Sequence, residues 1–356
     1  MHVGVEASRL ARETRGIGRY VRALLPELAA ADPSVRFTCF AKDRDDVAPL
    51  LAALDTMPFL SDRYDVQPLD ALGRVRTDLT WYPWNVVRPA APSGPVVVTT
   101  HDIVPVALPD TRWHAVRTRW KWRRLYQGTV TRATRILADS AFTRDELVRT
   151  LGADPARVVV ALLGGDDAQT MPAHDPSVAL ARWEIARPFV LCVGADEPRK
   201  NLGIARSAVA TLRARGLGVQ LVCVGPRKRA LINSDGVREL GFVTEQELAT
   251  LYAEAAALVM PSTYEGFGLP LLEAMVAGTP AICARAASLP EVGGDAVMYV
   301  GAQDGRALAA AIERCATDVS WRADLSARGR ARATQFTWAE TARITLETFR
   351  DAVTNG

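Results

Sequence analysis

The stretch Glu265-Gly266-Phe267-Gly268-Leu269-Pro270-Leu271-Leu272-Glu273 packs two carboxylates, two glycines and a proline into nine residues. The apolar run Ala257–Pro261 precedes it. Pro270 suits the first turn of a helix, and Gly278 before Pro280 suits its end. A glycine-bearing loop that leads from a strand into a helix start turns backbone N–H groups outward, where they bind phosphate. Glu265 would sit in the loop and Glu273 in the first helical turn. One carboxylate can then accept two hydroxyls of a ribose while the other meets a second sugar. A glutamate that only complements its helix dipole accounts for one of these residues and leaves the rest unexplained.

A second motif, Gly194-Ala195-Asp196-Glu197-Pro198-Arg199-Lys200-Asn201, follows the apolar run Phe189–Val193. Two adjacent cations at a strand's carboxyl end and a helix start can neutralise a diphosphate. The chain holds 39 Arg and only four Lys, so a lysine at 200 runs against the background. A compact ammonium suits a point contact with a phosphate oxygen. Arg227-Lys228, after Gly225, reads as a pair of solvated loop cations.

Three weaker signals lie in the first half. Gly16-Ile17-Gly18 opens a helix pattern, but the third small residue of a dinucleotide fingerprint would fall at Val21 and the loop before it is too long. NAD binding is therefore disfavoured, and a flexible glycine loop reaching a ligand cleft is expected instead. His101-Asp102 closes the run Val96–Thr100, which places His101 at a sheet's carboxyl edge, able to bond a substrate hydroxyl or carry a proton. Arg112–Tyr126 is basic and aromatic, with Trp113, Val116 and Trp120 at helical spacing. It could cover the cleft, touch anionic lipid headgroups, or dock on its own sheet with a solvated basic face.

Such residues need strands behind them. Apolar runs alternate with amphipathic stretches throughout: His2–Ala7, Val35–Ala41, Leu79–Trp84, Pro95–His101, Arg135–Asp139 and Val158–Leu162, then Phe189–Gly194, Val219–Gly225, Val237–Val243, Ala257–Pro261, Pro280–Ala284 and Val297–Val300. Helix patterns between them include Gly18–Ala30, Leu202–Arg215, Thr244–Ala256 and Arg306–Thr317. Continuous apolar strands separated by amphipathic helices mean parallel sheets covered on both faces. Two sets mean two doubly wound α/β domains, with ligands beyond the strands' carboxyl ends. The expected boundaries are 1–168 and 169–337, because breakers crowd between Gly164 and Pro188. A last helix at 338–356, opened by Thr337 and Glu340 at capping-box spacing, is expected to cross back to the first domain.

Composition narrows the class. Hydrophobic residues at 49% and charged residues at 23% fit a soluble globular chain. No apolar run approaches the roughly 20 residues of a membrane span, and no signal-peptide pattern opens the sequence, so a cytoplasmic protein is expected. Five cysteines with no CxxC read as reduced, buried thiols. Four scattered histidines make no spaced metal site, and Asp43-Arg44-Asp45 reads as a surface turn. Net charge is +3, with eight basic residues and no acid between 111 and 138. That is too little for a nucleic-acid binder, and no nucleic-acid signature is present.

Taken in order, Gly16-Ile17-Gly18-Arg19-Tyr20, His101-Asp102, Ala138-Asp139-Ser140-Ala141-Phe142-Thr143-Arg144, Pro198-Arg199-Lys200-Asn201 and the Glu-x7-Glu segment resemble the retaining GT-B glycosyltransferases of family 4, most closely bacterial polysaccharide mannosyltransferases. The resemblance covers nearly the whole chain. It implies transfer of a hexose from a nucleotide diphosphate sugar to a hydroxyl of a polysaccharide or lipid-linked glycan, with GDP-mannose ahead of a UDP-sugar as donor and no metal or other cofactor required. By the same resemblance Arg199 and Lys200 hold the diphosphate and Glu273 the ribose diol. Glu265, with the backbone at Phe267, Gly268 and Leu269, holds the donor sugar and its phosphate. His101 contacts the donor sugar, and Gly16 and Gly18 line the phosphate and acceptor side. The strand ends at Gly225 and Val243 meet the nucleotide. The basic-aromatic stretch lacks the clean amphipathic face of members that dock tightly on membranes, so only weak peripheral contact at the inner face of the cell membrane is expected. Retention permits front-face attack or double displacement; no carboxylate is evidently free as a nucleophile, which favours the former. A nucleotide-sugar epimerase, a phosphorylase of the same architecture and a non-catalytic nucleotide-sugar sensor are the alternatives.

Overall fold

The computed structural model describes residues 1–13, 16–60, 62–88, 94–108, 113–166, 175–227 and 230–356, the side chains of 113–116 excepted. The chain divides into two units: Met1–Gly164 together with Thr337–Gly356, and Gly165–Phe336. The break falls at the glycine pair 164–165.

The first unit is a seven-stranded sheet of β1 (His2–Glu6), β2 (Arg36–Ala41), β3 (Tyr64–Pro68), β4 (Leu79–Tyr82), β5 (Val96–Thr100), β6 (Arg135–Ala138) and β7 (Val158–Val160). Its order is β3-β2-β1-β4-β5-β6-β7, every pair parallel. β2, β4 and β5 are buried at almost every position, as expected of strands covered on both faces. β3 was not expected from the sequence. It is an edge strand whose Asp65 and Gln67 interrupt any apolar run.

The helix Trp338–Asn355 belongs to this unit and packs on the helix Ile17–Ala31. The Thr337 hydroxyl accepts the Glu340 N–H at 3.2 Å. The reciprocal half of the capping box is missing, because Glu340 pairs with Arg343 instead. Trp338, Ala342, Leu346, Phe349 and Ala352 form its buried face. Burying Trp338, Leu346 and Phe349 stabilises the docking by about 1.5–3 kcal/mol each.

The second unit is built on β8 (Phe189–Val193), β9 (Gln220–Val224), β10 (Asn233–Ser234), β11 (Val237–Gly241), β12 (Ala257–Met260), β13 (Ala281–Ala284) and β14 (Met298–Val300). The order is β10-β11-β9-β8-β12-β13-β14, parallel except for the short β10. Its core packs Val190, Leu221, Val259 and Ile282 from the sheet against Val209 and Leu212 of one helix and Leu308 and Ile312 of another. All five cysteines are free and buried. Both sheets are doubly wound and Rossmann-like, as the alternating pattern implied.

Candidate active site

In the second unit the strand order reverses between β8 and β12. Open parallel sheets bind ligands at such a point, beyond the strands' carboxyl ends. The loops leaving these two neighbours carry the two strongest sequence motifs, so the sheet itself brings them together. Thr263 N–H bonds the Arg199 carbonyl at 2.8 Å, and Arg199 Nη1 donates to the Tyr264 carbonyl at 3.2 Å.

Arg199 and Lys200 do not stand at a helix start, as the sequence suggested. They occupy a 3-10 turn, Pro198–Lys200, and the helix begins only at Leu202. Asn201 (φ 53°) turns the chain between them, and its amide donates to the Ala302 carbonyl at 2.7 Å. The turn aims both cations at Glu265. Lys200 Nζ lies 2.7 Å from Oε1 and Arg199 Nη1 lies 2.9 Å from Oε2. Arg199 Nε also meets Glu197 at 2.8 Å. Glu265 is 6% exposed. Burial alone would raise its pKa, but the Lys200 and Arg199 charges outweigh burial and hold it below the usual carboxylate value.

The loop behind Glu265 is held by a residue that sequence reasoning missed. The Ser288 hydroxyl lies 3.0 Å from the Glu265 carbonyl and 2.8 Å from that of Phe267. Ser288-Leu289-Pro290-Glu291 has capping-box spacing, yet Ser288 makes no side-chain cap to its own short helix. The spacing signal was present and pointed to the wrong role. Gly268 is the N-cap of the helix Leu269–Ala277, with Pro270 in its first turn. Pro270 has no N–H and the Leu271 N–H bonds the Gly268 carbonyl at 2.9 Å, so the N–H groups of Gly268 and Leu269 are the ones that lie outside the helix's own ladder. Glu273 falls in the second turn rather than the first, too far along to serve mainly the helix dipole. Tyr252 Oη donates to its Oε2 at 2.7 Å, a partner the sequence did not reveal.

Gly225 follows β9 with φ +127°, and a Cβ there would meet the Gly194 carbonyl oxygen at 2.5 Å, so only glycine fits. Arg227 was expected to be solvated. Instead its side chain is 1% exposed, with Nη1 donating to the carbonyls of Gly194 at 2.8 Å and Gly225 at 3.1 Å, and Nε 3.6 Å from the buried Glu239. Lys228 lies outside the described residues. Val243 is buried two residues past β11.

His101, Gly16 and Gly18 belong to the first unit. A Cβ on Gly18 would collide with the Glu13 carbonyl, so this turn requires glycine, while Gly16 (φ +58°) is the N-cap of its helix. His101 follows β5 and Asp139 follows the adjacent β6, in register through Thr100 and Ala138. Nδ1 lies 2.6 Å from Asp139 Oδ2, and Nε2 lies 2.9 Å from the Pro83 carbonyl. Both partners are acceptors, so a ring that satisfies both carries a proton on each nitrogen. Burial would lower the pKa of His101, but Asp139 and the Pro83 carbonyl raise it further, to a net upward shift. In the sequence Asp139 stands out only as part of the Ala138–Arg144 motif. Two polar residues that directly follow neighbouring strands were the available signal.

Arg112 lies outside the described residues, as do the side chains of Trp113 and Val116. The segment after them is helical from Trp113 to Arg132. Trp120 is 61% exposed, with the Arg124 guanidinium 4.7 Å over its ring. Asp43-Arg44-Asp45 is an exposed turn in which Asp43 accepts the N–H groups of Asp45 and Asp46 at 3.1 Å. Among the described residues no cluster of three His, Cys, Asp or Glu could hold a metal, and no helix is long and apolar enough to cross a membrane.

Comparison with known proteins matches residues 14–169 to the Glycosyltransferase Family 4 model and residues 187–318 to the model for glycosyl transferases group 1. O-antigen chain mannosyltransferase B of Escherichia coli is 33% identical over 270 residues, which is 71% of this chain and 70% of that protein. D-inositol 3-phosphate glycosyltransferase of Frankia alni is 32% identical over 250 residues, covering 64% of this chain and 61% of that one. Sucrose-phosphate synthase of Thermosynechococcus elongatus shares the fold over 100% of both chains, with a TM-score of 0.74 at 21% identity. The fold is GT-B, and the chain is a glycosyltransferase that belongs to glycosyltransferase family 4.

Proposed function

We propose that the enzyme moves a hexose, mannose in the first instance, from a nucleoside diphosphate sugar to a hydroxyl of a growing polysaccharide or lipid-linked glycan, with the anomeric configuration retained. GDP-mannose is the donor put forward ahead of UDP-sugars. The mannosyltransferase relative at 33% identity supports the sugar. The single observation that carries the chemistry is the cluster of Arg199, Lys200 and Glu265 at the switch point of the second sheet.

In the transfer, the bond from the anomeric carbon to the diphosphate oxygen breaks and its electron pair stays on the diphosphate. Arg199, Lys200 and the N–H groups near Gly268 stabilise that charge most in the transition state. Two fixed protein cations supply what a divalent ion would otherwise supply, so the reaction proceeds without a metal. The acceptor oxygen bonds the anomeric carbon from the face the leaving group departs, and its proton passes to the departing phosphate oxygen. Glu273, braced by Tyr252, takes the ribose diol. Glu265 turns from its cations toward the sugar hydroxyls. The family resemblance assigns His101 to the donor sugar; with both ring nitrogens held by Asp139 and the Pro83 carbonyl, that role requires one of the two bonds to be exchanged.

Weak contact with an acidic lipid surface belongs to the same proposal. Trp120 and Trp122 stand among Arg117, Lys121, Arg123 and Arg124 on one exposed stretch of helix, which supports it.

The test is incubation of the full chain with GDP-mannose, GDP-glucose, UDP-glucose and UDP-galactose, with mannoside acceptors and proton NMR of the product anomer. An α-mannoside formed from GDP-mannose without added metal is expected. Epimerised donor, phosphate-dependent cleavage, or binding without turnover would point to the epimerase, phosphorylase or sensor alternative respectively.

A further inference from the structure

The first unit holds a carboxylate that the transfer chemistry above does not use. β1 ends at Glu6, and the strand order reverses between β1 and β4. Glu6 therefore stands at the carboxyl edge of the first sheet at its own switch point, the place where such a sheet binds a ligand. Its backbone is fixed from two sides: the Trp84 indole N–H donates to the Glu6 carbonyl at 2.7 Å, and Ala7 N–H bonds the Phe40 carbonyl at 3.1 Å.

The side chain is only 3% exposed, yet among the described residues it forms no ion pair, and Ser8 alone bonds it, its N–H reaching Oε1 at 3.1 Å. Arg9 acts on it only through its charge, with the guanidinium 5.8 Å from the Trp84 ring centroid. Burial raises the pKa of Glu6 against the opposing effects of Ser8 and Arg9. Beside it at the end of β4, the Tyr82 hydroxyl is buried and has no hydrogen-bond partner among the described residues. An ionised carboxylate can accept about four hydrogen bonds, and burying one with so few is costly. It is a site that stays underfilled until a donor arrives.

We propose that Glu6 recognises the acceptor: its carboxylate accepts hydroxyl hydrogen bonds from the terminal saccharide ring of the acceptor, an assignment that rests on the transferase reading above. A carboxylate offers acceptors only and repels phosphate. The ligand at this edge is thus a neutral sugar ring, and any phosphate or lipid of the acceptor lies elsewhere.

Glu6→Gln keeps the size and the Ser8 bond while removing the charge, and Glu6→Asp keeps the charge but withdraws it. Both are compared with the wild-type full chain using methyl α-D-mannoside and methyl α-D-glucoside as acceptors, and by donor hydrolysis without acceptor. Glu6→Gln is expected to raise the acceptor KM by about ten- to a hundredfold with donor hydrolysis within about twofold of wild type, and Glu6→Asp to fall between. A purely structural role would not separate the two substrates. An unchanged acceptor KM in folded Glu6→Gln overturns the proposal. So does a wild type that hydrolyses donor but accepts only phosphorylated sugars. A wild type that neither transfers nor hydrolyses sinks the transferase reading, and this assignment with it.

Discussion

Lys200 Nζ lies 2.7 Å from one carboxylate oxygen of Glu265, and Arg199 Nη1 lies 2.9 Å from the other. The glutamate is 65 residues further along the chain than Lys200. It neutralises two adjacent cations that would otherwise repel each other in a poorly hydrated site. A diphosphate offers the same cations more oxygen and more charge, so its arrival competes directly with Glu265.

That competition separates binding from turnover. Glu265→Gln removes the negative charge and frees both cations. Affinity for GDP or UDP, measured by calorimetry, is expected to stay level or tighten, while transfer falls by about a hundredfold or more. Weaker nucleotide binding in this variant would mean that Glu265 assists the diphosphate rather than competing with it.

Ser288 acts on the same loop from behind. Ser288→Ala leaves the carbonyls of Glu265 and Phe267 short of a buried donor, which costs about 1–3 kcal/mol of stability. The donor KM is expected to rise while the acceptor KM stays put. Thermal unfolding and two-substrate kinetics read the two effects separately.

His101 makes stability depend on pH. Its pKa is raised in the folded protein from an ordinary value of 6.5. The protonated ring therefore stabilises the fold fully below that value, and the contribution fades as pH climbs through the raised one. Asp139→Asn removes the paired charge, at a cost of about 3 kcal/mol where the ring is protonated. The Tm gap to wild type is expected to be wide at about pH 6 and narrower at about pH 9. A gap that widens with pH would show that the ring is neutral.

The exposed basic-aromatic helix can be checked with vesicles. Partial flotation with phosphatidylglycerol vesicles is expected, lost at about 0.5 M salt as charges are screened and reduced by Trp120→Ala. Equal binding to neutral phosphatidylcholine would contradict an electrostatic contact.

The apolar strands were legible because burial on both faces leaves continuous Val, Leu and Ile runs. β3 was not, because Asp65 and Gln67 sit on an edge strand that never needs such a run. The motifs themselves were readable, since phosphate chemistry needs glycine, cation and carboxylate close to strand ends. Their cross-connections were not. Arg227 looked solvated because its partner Gly194 lies 33 residues away. Ser288 went unnoticed because local spacing carries no sign of the loop it clasps. The partners of His101 were not legible, because Asp139 and Pro83 reach it only through the register of the sheet.

The most direct test is a crystal structure of the full chain soaked with GDP-mannose or UDP-glucose, whichever raises its Tm. The diphosphate is expected within hydrogen-bond distance of Lys200 Nζ and the Arg199 guanidinium, with Glu273 on the ribose. A diphosphate bound away from both cations would contradict the assignment.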